Sequence, residues 1–150
     1  MSSVLKISQA ASLAMHTMAL LAENPGKQVS TKEIAASLSR SEFHLAKVLQ
    51  RLTRAGLVQS IRGPRGGFML CEGWEDITLL AIYETIEGPF PPGHCIAGER
   101  LCNRLTCLMG GLVNAVTKQV MDYLSGTKLD QIIGNGCSMS GSSKDGEDKA

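Results

Sequence analysis

The chain has 150 residues, of which 43% are hydrophobic and 19% are charged, and this composition indicates a soluble protein with one domain and short additions. Five cysteines, an odd number in a chain of this size, argue against the disulfide framework of a small secreted domain and favour the reducing cytoplasm. The formal net charge of +1 conceals an uneven distribution, because residues 27–65 hold eight basic and two acidic side chains while the remainder is net negative. Positive charge concentrated on one segment is typical of a protein with a polyanionic partner.

The first predicted helix follows a short lead of residues 1–8 and continues to about Glu23, where Asn24-Pro25-Gly26 ends it. Its apolar run over residues 10–22 is too short to span a membrane and is interrupted by polar side chains, so we expect no membrane association. The periodicity suits an amphipathic helix that packs on the core of the domain.

Two capping boxes are predicted in the next segment of the chain. Ser30 with Glu33, and Ser39 with Glu42, have the spacing at which a hydroxyl accepts a helical N–H while the glutamate reaches back to the cap. Two helix starts this close together leave room for one short helix and a tight turn before a longer helix.

The two helices predicted from these caps span residues 31–38 and a longer stretch to about Ala55, with Gly56 as the C-terminal residue of positive φ. Two helices joined by a tight turn suggest a helix-turn-helix, which is a DNA-reading unit. The second helix would bury an apolar stripe made of Leu45, Val48, Leu49 and Leu52. On nearly the opposite side it would expose a basic face made of Arg40, His44, Lys47, Arg51 and Arg54. Such a face suits phosphate contact and entry into the major groove, although the same charges could simply be solvated.

A basic hairpin is predicted directly after these helices. Residues 57–62 and 68–71 have the pattern of strands, and the Gly/Pro-rich residues 63–67 form the loop between them. Arg62 and Arg65 lie at the tip, where they could contact the adjacent DNA backbone or enter a narrow minor groove. A helix-turn-helix followed by a basic hairpin indicates a winged helix.

The remaining predicted elements are helical. We expect a helix over residues 76–87, a Gly/Pro-rich break over 88–93 and a long helix over 105–124 whose near-heptad apolar residues are Leu105, Leu108, Leu112, Val116, Val120 and Tyr123. A lone helix with such an apolar seam needs a partner, which favours a homodimer over packing on its own domain. From residue 134 onward, the scarcity of bulky apolar residues predicts disorder.

Three cysteines follow the Gly/Pro-rich break, at Cys95, Cys102 and Cys107, with the spacing C-x6-C-x4-C. Soft thiolates on a flexible loop suit an iron–sulfur cluster, whereas zinc prefers closely paired cysteines and a clear fourth ligand. The spacing alone also fits thiols that respond to oxidation without metal, or small apolar residues in a packed loop. Cys71 and Cys137 lie outside this segment and are assigned no ligand role.

The expected fold is mainly α with a small β-hairpin, namely a winged helix-turn-helix domain plus a long C-terminal dimerisation helix. The expected boundaries are a DNA-binding domain over residues 1–75, a cluster-binding loop with dimerisation helices over residues 76–133, and a disordered tail over residues 134–150. No internal repeat is evident.

This order of segments resembles the bacterial family that includes the iron–sulfur cluster regulator and the nitric-oxide-sensitive repressor. The resemblance covers about residues 5–124, and its matching stretches are Leu5-Lys6-Ile7-Ser8, Leu52-x-x-Ala55-Gly56-Leu57-Val58, Arg62-Gly63-x-x-Gly66-Gly67-Phe68-x-Leu70, Asp76-Ile77-Thr78-Leu79 with Glu87-Gly88, and the three cysteines. It implies a homodimeric winged-helix regulator with one cluster per subunit, in which the state of the cluster sets the affinity for DNA.

The cysteine spacing and the fourth ligand depart from parts of that family. Some relatives space the cysteines five and five apart, whereas the gaps here are six and four, and where some carry a histidine beyond the last cysteine this chain has Gly110. Others use an acidic residue in the first helix of the partner subunit, and the matching position is Ser12. His16, one turn later, could serve instead, and His94 beside Cys95 is its competitor. The fourth ligand and the choice between a 2Fe-2S and a 4Fe-4S cluster therefore stay open.

The sequence thus predicts a transcription regulator, most simply a repressor, that binds a pseudo-palindromic double-stranded operator as a homodimer and is not an enzyme. The residues expected to contact DNA are Arg40, Ser41, His44, Lys47, Arg51, Arg54, Arg62 and Arg65. One alternative is a metal-free winged-helix regulator that senses oxidants or a small effector. A second alternative is an iron–sulfur carrier or electron-transfer protein, which would leave the basic helix and the hairpin without a purpose.

Overall fold

The computed structural model describes residues 7–90 and 108–134. Within these ranges the elements are α1 (Gln9–Glu23), α2 (Thr31–Ser37), α3 (Glu42–Arg54), β1 (Val58–Ile61), β2 (Gly67–Leu70), a 3₁₀ turn (Trp74–Asp76), α4 (Leu79–Glu87), α5 (Gly110–Gly126) and α6 (Leu129–Gly134). This mainly helical arrangement with one antiparallel hairpin confirms the predicted fold class. The predicted ligands Cys95, Cys102 and Cys107, the competing His94 and residues 135–150 of the predicted tail lie outside the described residues.

Helix α1 begins and ends as predicted. The hydroxyl of its N-cap, Ser8, accepts a hydrogen bond from the N–H of Ala11 at 3.0 Å and donates one to the carboxylate of Glu87 at the end of α4. The buried side of α1 is apolar apart from Thr17, whose hydroxyl donates to the carbonyl of Leu13 at 2.7 Å. No helix within the described ranges has the length and hydropathy needed to cross a membrane.

Helix α2 begins at the predicted capping box. The N–H of Glu33 donates to the hydroxyl of Ser30 at 3.2 Å, and the Glu33 carboxylate accepts from the N–H of Ser30 at 2.8 Å. The hydrogen bond from this N–H, followed by the one from the Ser30 hydroxyl, lowers the pKa of Glu33. Because the folded-state pKa is lowered, this contribution to stability is present above the ordinary pKa and is lost as the pH falls through the lowered value.

The second predicted capping box is wrong, because the N-cap of α3 is Ser41 and not Ser39. Ser39 instead has a φ of 50°, in the left-handed region. Its N–H donates to the carbonyl of Ala36 at 3.2 Å, and the next N–H, that of Arg40, donates to the carbonyl of Ala35 at 2.9 Å. These are the two hydrogen bonds of a Schellman motif, which ends α2 and delays the start of α3.

We expect the Ser39→Gly substitution to stabilise the protein by about 1 kcal/mol, because the left-handed conformation costs a residue with a Cβ about 1–2 kcal/mol and the greater freedom of glycine in the unfolded chain offsets part of that gain. The matched control is Ser37→Gly, in the last turn of α2, which should be destabilising. Urea unfolding followed by circular dichroism measures both. Equal effects of the two substitutions would contradict this account of the turn.

Helix α3 buries the predicted apolar stripe, since Leu45, Leu49 and Leu52 are fully buried and Val48 is nearly so. It ends at the predicted glycine, Gly56, which has a φ of 75°. The confirmed stripe fixes which side of α3 faces the core and therefore which side faces solvent.

The hairpin pairs β1 with β2 in the register Val58↔Leu70 to Ile61↔Gly67. It is held against the start of α2 by a bridge in which the N–H groups of Val29 and Phe68 each donate to the other's carbonyl at 2.9 Å. A Cβ at Gly67 would lie 2.7 Å from the carbonyl oxygen of Val29, so only glycine allows this approach. The hairpin is therefore fixed to the helix-turn-helix by backbone contact.

Helix α4 is shorter than the predicted helix over residues 76–87, because Thr78 is its N-cap and accepts from the N–H of Ala81 at 3.1 Å. Asp76 lies outside the helix, and its carboxylate pairs with the ammonium group of Lys128 at 2.7 Å. Its buried residues are Leu79, Ile82, Tyr83 and Ile86, whereas Leu80 and Ala81 of the helix and Ile77 before it are only partly buried.

Helix α5 contacts α4, yet much of its predicted apolar seam is uncovered. Leu108 is 82% exposed, Leu112 is 52% exposed and Tyr123 is 65% exposed, whereas Leu124 is buried. Leu108 precedes α5, which begins at Gly110, later than the predicted residue 105. We call Leu112, Val116 and Tyr123 the α5 seam. Helix α6, which we did not predict, returns to pack against α1. The domain boundary at residue 75 stays a prediction, although buried residues of α1, α3, α4 and α6 form one apolar core.

Candidate nucleic-acid interface

The outward side of α3 is made of Phe43, Lys47, Gln50 and Arg54, and we call this set the outward stripe. These residues are exposed and follow one another at i, i+4, i+7 and i+11, opposite the buried leucines. The predicted basic face is therefore correct for Lys47 and Arg54. His44 and Arg51 are exposed as well but lie to one side of the stripe, towards α1 and α4.

Two members of the outward stripe contact each other. The ammonium nitrogen of Lys47 lies 4.5 Å from the centre of the Phe43 ring, which is a cation–π contact. The Phe43 ring also meets the imidazole of His44 edge-on, with 5.9 Å between the ring centres. Phe43 is nevertheless 67% exposed, which is unusual for a phenylalanine.

Arg51 has a structural contact that we did not predict. Its guanidinium Nη1 donates to the backbone carbonyl of Ile86 at 2.8 Å, and Ile86 lies in the last turn of α4, where carbonyls lack helical partners. Arg51 therefore joins α3 to the end of α4. Its contact with DNA stays a prediction.

A cleft of about 310 Å³ opens beside this contact, between α1, α3 and α4. We call it the α4 cleft. Its walls combine apolar residues with four basic residues that we expected to contact DNA, namely Arg40, His44, Lys47 and Arg51. The structure thus brings together the basic residues of the turn and of α3 on one surface.

Ser41 and the two hairpin arginines, which we also expected to contact DNA, are exposed. Ser41 is the N-cap of α3 and is exposed at the N-terminal end of the helix. Its hydroxyl makes no capping hydrogen bond. Arg62 and Arg65 are exposed in the hairpin loop, where the N–H of Gly66 donates to the carbonyl of Gly63 at 2.9 Å and closes the turn. Short polar side chains and arginines at these places suit contact with phosphates.

A second cleft, of about 320 Å³, lies along α1 and is lined by Ser12, His16 and Arg40 among other residues. We call it the α1 cleft. The Nδ1–H of His16 donates to the carbonyl of Ser12 at 2.7 Å, and in the neutral imidazole this tautomer has its lone pair on Nε2. Within residues 7–90 and 108–134 there is no group of three or more metal-ligating side chains, and the three cysteines lie outside those ranges.

Phe43 and Gln50 are exposed residues of the candidate interface that the sequence analysis did not name. The signal was present, because both positions lie at helical spacing from Lys47 and opposite the predicted buried stripe. Selecting only basic residues for the exposed face excluded them.

Comparison with known proteins shows the family to which the chain belongs. The Rrf2 family, described as iron-dependent transcriptional regulators, matches residues 7–135. The HTH-type transcriptional regulator NsrR of Bacillus subtilis is 35% identical over 107 residues, which are 71% of this chain and 72% of that protein.

Solved structures agree with the sequence match. CymR, the global cysteine regulator of B. subtilis, superposes with a TM-score of 0.74 at 30% identity, covering 87% of this chain and 98% of that chain. IscR of T. potens gives a TM-score of 0.70 at 26% identity, covering 87% of this chain and 88% of that one. The family resemblance seen in the sequence is confirmed, and its members are regulators rather than enzymes. This chain belongs to the Rrf2 family of DNA-binding, winged-helix transcription regulators.

Proposed function

We propose that the protein binds a pseudo-palindromic operator as a homodimer and that an iron–sulfur cluster sets its affinity for that DNA. The α1 cleft is the observation that supports a link between the cluster and DNA binding. It brings His16 of α1 next to Arg40, which leads directly into α3. A group held at His16 therefore acts close to the helix that reads DNA.

In this proposal α3 enters the major groove with its outward stripe. Ser41, Lys47 and Arg54 meet base edges and phosphates, while Arg40, His44 and Arg51 contact the flanking phosphates from the α4 cleft. Arg62 and Arg65 of the hairpin lie along the adjacent backbone or in the minor groove.

The homodimer is proposed from the α5 seam. Leu112 and Tyr123 are exposed on one side of α5, and a helix with such residues gains stability when a second copy covers them. Two α5 helices packed together would present two reading helices to half-sites about 34 Å apart, which is one turn of DNA.

The cluster is proposed on the donor chemistry of this chain. Cys95, Cys102 and Cys107 would supply three thiolates, and His16 is the candidate for the fourth ligand, since its Nδ1–H is engaged with Ser12 and its Nε2 can coordinate. When bound, such a cluster supplies an inorganic centre that responds to iron supply, redox state or nitric oxide. His16 and Arg40 would carry that response to α3.

Anaerobic purification with iron and sulfide analysis and a visible spectrum tests this proposal. We expect the wild-type protein to contain iron and sulfide, Cys102→Ala to contain neither, and His16→Ala to bind iron at least about tenfold more weakly. His44→Ala is the matched control, a histidine outside the α1 cleft, and should keep the cluster. DNA binding measured on the same protein before and after chelation should differ.

Colourless, iron-free protein from an oxygen-free preparation would overturn the cluster, and equal DNA affinity with and without iron would overturn the switch. A His16→Ala variant with wild-type iron affinity would exclude that residue as the fourth ligand.

A second candidate is a metal-free regulator that senses thiol oxidation or a small effector. It is favoured by the similarity to CymR, described as the global cysteine regulator, and to an oxidized form of CymR from Staphylococcus aureus. It predicts DNA affinity that changes with thiol oxidant in protein without iron. The iron–sulfur carrier is disfavoured, because it gives no role to the outward stripe or the hairpin.

A further inference from the structure

Phe43 is the large apolar side chain of the outward stripe, and nothing in the fold requires it there. It is 67% exposed and lies on the side of α3 opposite the core, so it contributes little to packing. Its ring contacts Lys47 and His44, both of which are polar. An exposed aromatic ring among basic residues indicates a binding role rather than a structural one.

The position of Phe43 restricts what it can bind. It is the second residue of α3, and the N-terminal residues of a reading helix are those that contact base edges in the major groove. The groove floor offers hydrogen-bonding groups at every base pair, but its apolar group is the C5 methyl of thymine. A phenylalanine ring has no hydrogen bond to offer, and among the groups on the groove floor it matches that methyl group best.

We propose that Phe43 selects thymine at one position of each operator half-site by packing its ring against the C5 methyl group. The inference rests on the proposed entry of α3 into the major groove. The cation–π contact with Lys47, at 4.5 Å, limits the directions the ring can take, which lowers the entropy lost when it meets the base.

The surroundings of Phe43 favour DNA over a protein partner. The outward stripe also carries Lys47 and Arg54, and lysine is depleted from the centre of protein interfaces because its desolvation is costly. Beside a polyanion the same charges are favourable. The basic surface and the exposed ring therefore point to the same ligand.

The test uses deoxyuridine, which is thymine without the methyl group. Operator sequences are selected from random duplexes with the wild-type protein, and the consensus is resynthesised with deoxyuridine at each thymine in turn. At one thymine position we expect the substitution to weaken wild-type binding about fourfold in one half-site and about fifteenfold in both, as burial of a single methyl group predicts. The Phe43→Ala variant should bind the thymine and deoxyuridine duplexes equally.

Gln50→Ala is the matched control, because it removes another side chain of the outward stripe and should keep the full deoxyuridine penalty. Phe43→Leu keeps an apolar side chain and should keep part of the penalty, and both Phe43 variants are expected to fold because the site is exposed. The inference is overturned if no thymine methyl matters to the wild type or if the penalty survives in Phe43→Ala. A change in oligomeric state of Phe43→Ala without a change in thymine preference would overturn it too. Wild-type protein that binds no duplex at low ionic strength would instead overturn the proposed function itself.

Discussion

The Leu112→Asp substitution should convert the proposed dimer to a monomer and weaken binding to a two-half-site operator by about a hundredfold or more. Leu112 is 52% exposed on the α5 seam, so an aspartate there is tolerated in the isolated chain. In a dimer the same carboxylate would be buried against a second copy of the seam, where an unpaired charge is strongly unfavourable. Losing the second subunit removes the second half-site contact, which is why the effect on operator binding is large. Sedimentation equilibrium and fluorescence anisotropy measure the two results.

Asn114→Asp is the control for Leu112→Asp, because Asn114 is an exposed position of α5 outside the seam. It introduces the same charge and should leave both the sedimentation and the operator affinity close to wild type. A Leu112→Asp protein that sediments as a dimer would show that the α5 seam does not join the subunits.

The Lys47→Ala substitution should weaken operator binding on the order of a hundredfold in the dimer, since each subunit loses one charged hydrogen bond. It should also reduce the slope of log K against log salt by about 2, because one phosphate contact is removed from each subunit. Lys47 lies on the outward stripe, so its loss removes little packing and should not change the unfolding transition. Binding isotherms over a range of salt concentrations give both quantities.

Lys118→Ala is the matched control for Lys47→Ala. It removes the same charge from α5, where the ammonium group pairs with Asp122 at 2.9 Å and both side chains are largely exposed. The salt slope should be unchanged in this variant. An equal reduction of the slope by the two substitutions would indicate a general charge effect instead of a contact made by α3.

The sequence predicted the helices and the hairpin well where local signals decide the structure. Ser30 with Glu33, the apolar stripe of α3 and Gly56 each lie within a few residues of the feature they determine, and each is confirmed. Ser39 with Glu42 has the same spacing as a true capping box, but the turn requires a left-handed residue at Ser39 to end α2. Ser39 could either begin α3 as its N-cap or end α2 in the left-handed conformation, and in the structure it ends α2.

The candidate site was predicted less completely, because tertiary contacts decide the roles of its residues. Arg51 has the spacing of a groove residue, yet the carbonyl it binds belongs to Ile86, on a helix that follows the hairpin. Periodicity cannot reveal such a partner. Phe43 was missed for a different reason, since only basic side chains were assigned to the exposed face of α3, whereas this exposed residue is aromatic. The cysteines lie outside the described residues, and their role stays a prediction.

The hydrogen bond between Arg51 and the carbonyl of Ile86 limits how α3 can move relative to α4. The Ser8 hydroxyl donates a hydrogen bond to Glu87. These two hydrogen bonds connect both α3 and α1 to the same end of α4. A helix braced in this way cannot slide within its own domain without breaking those ties. In the proposed dimer, a signal that starts near α1 would therefore turn the DNA-binding domain as one unit and alter the spacing between the two α3 helices on the duplex.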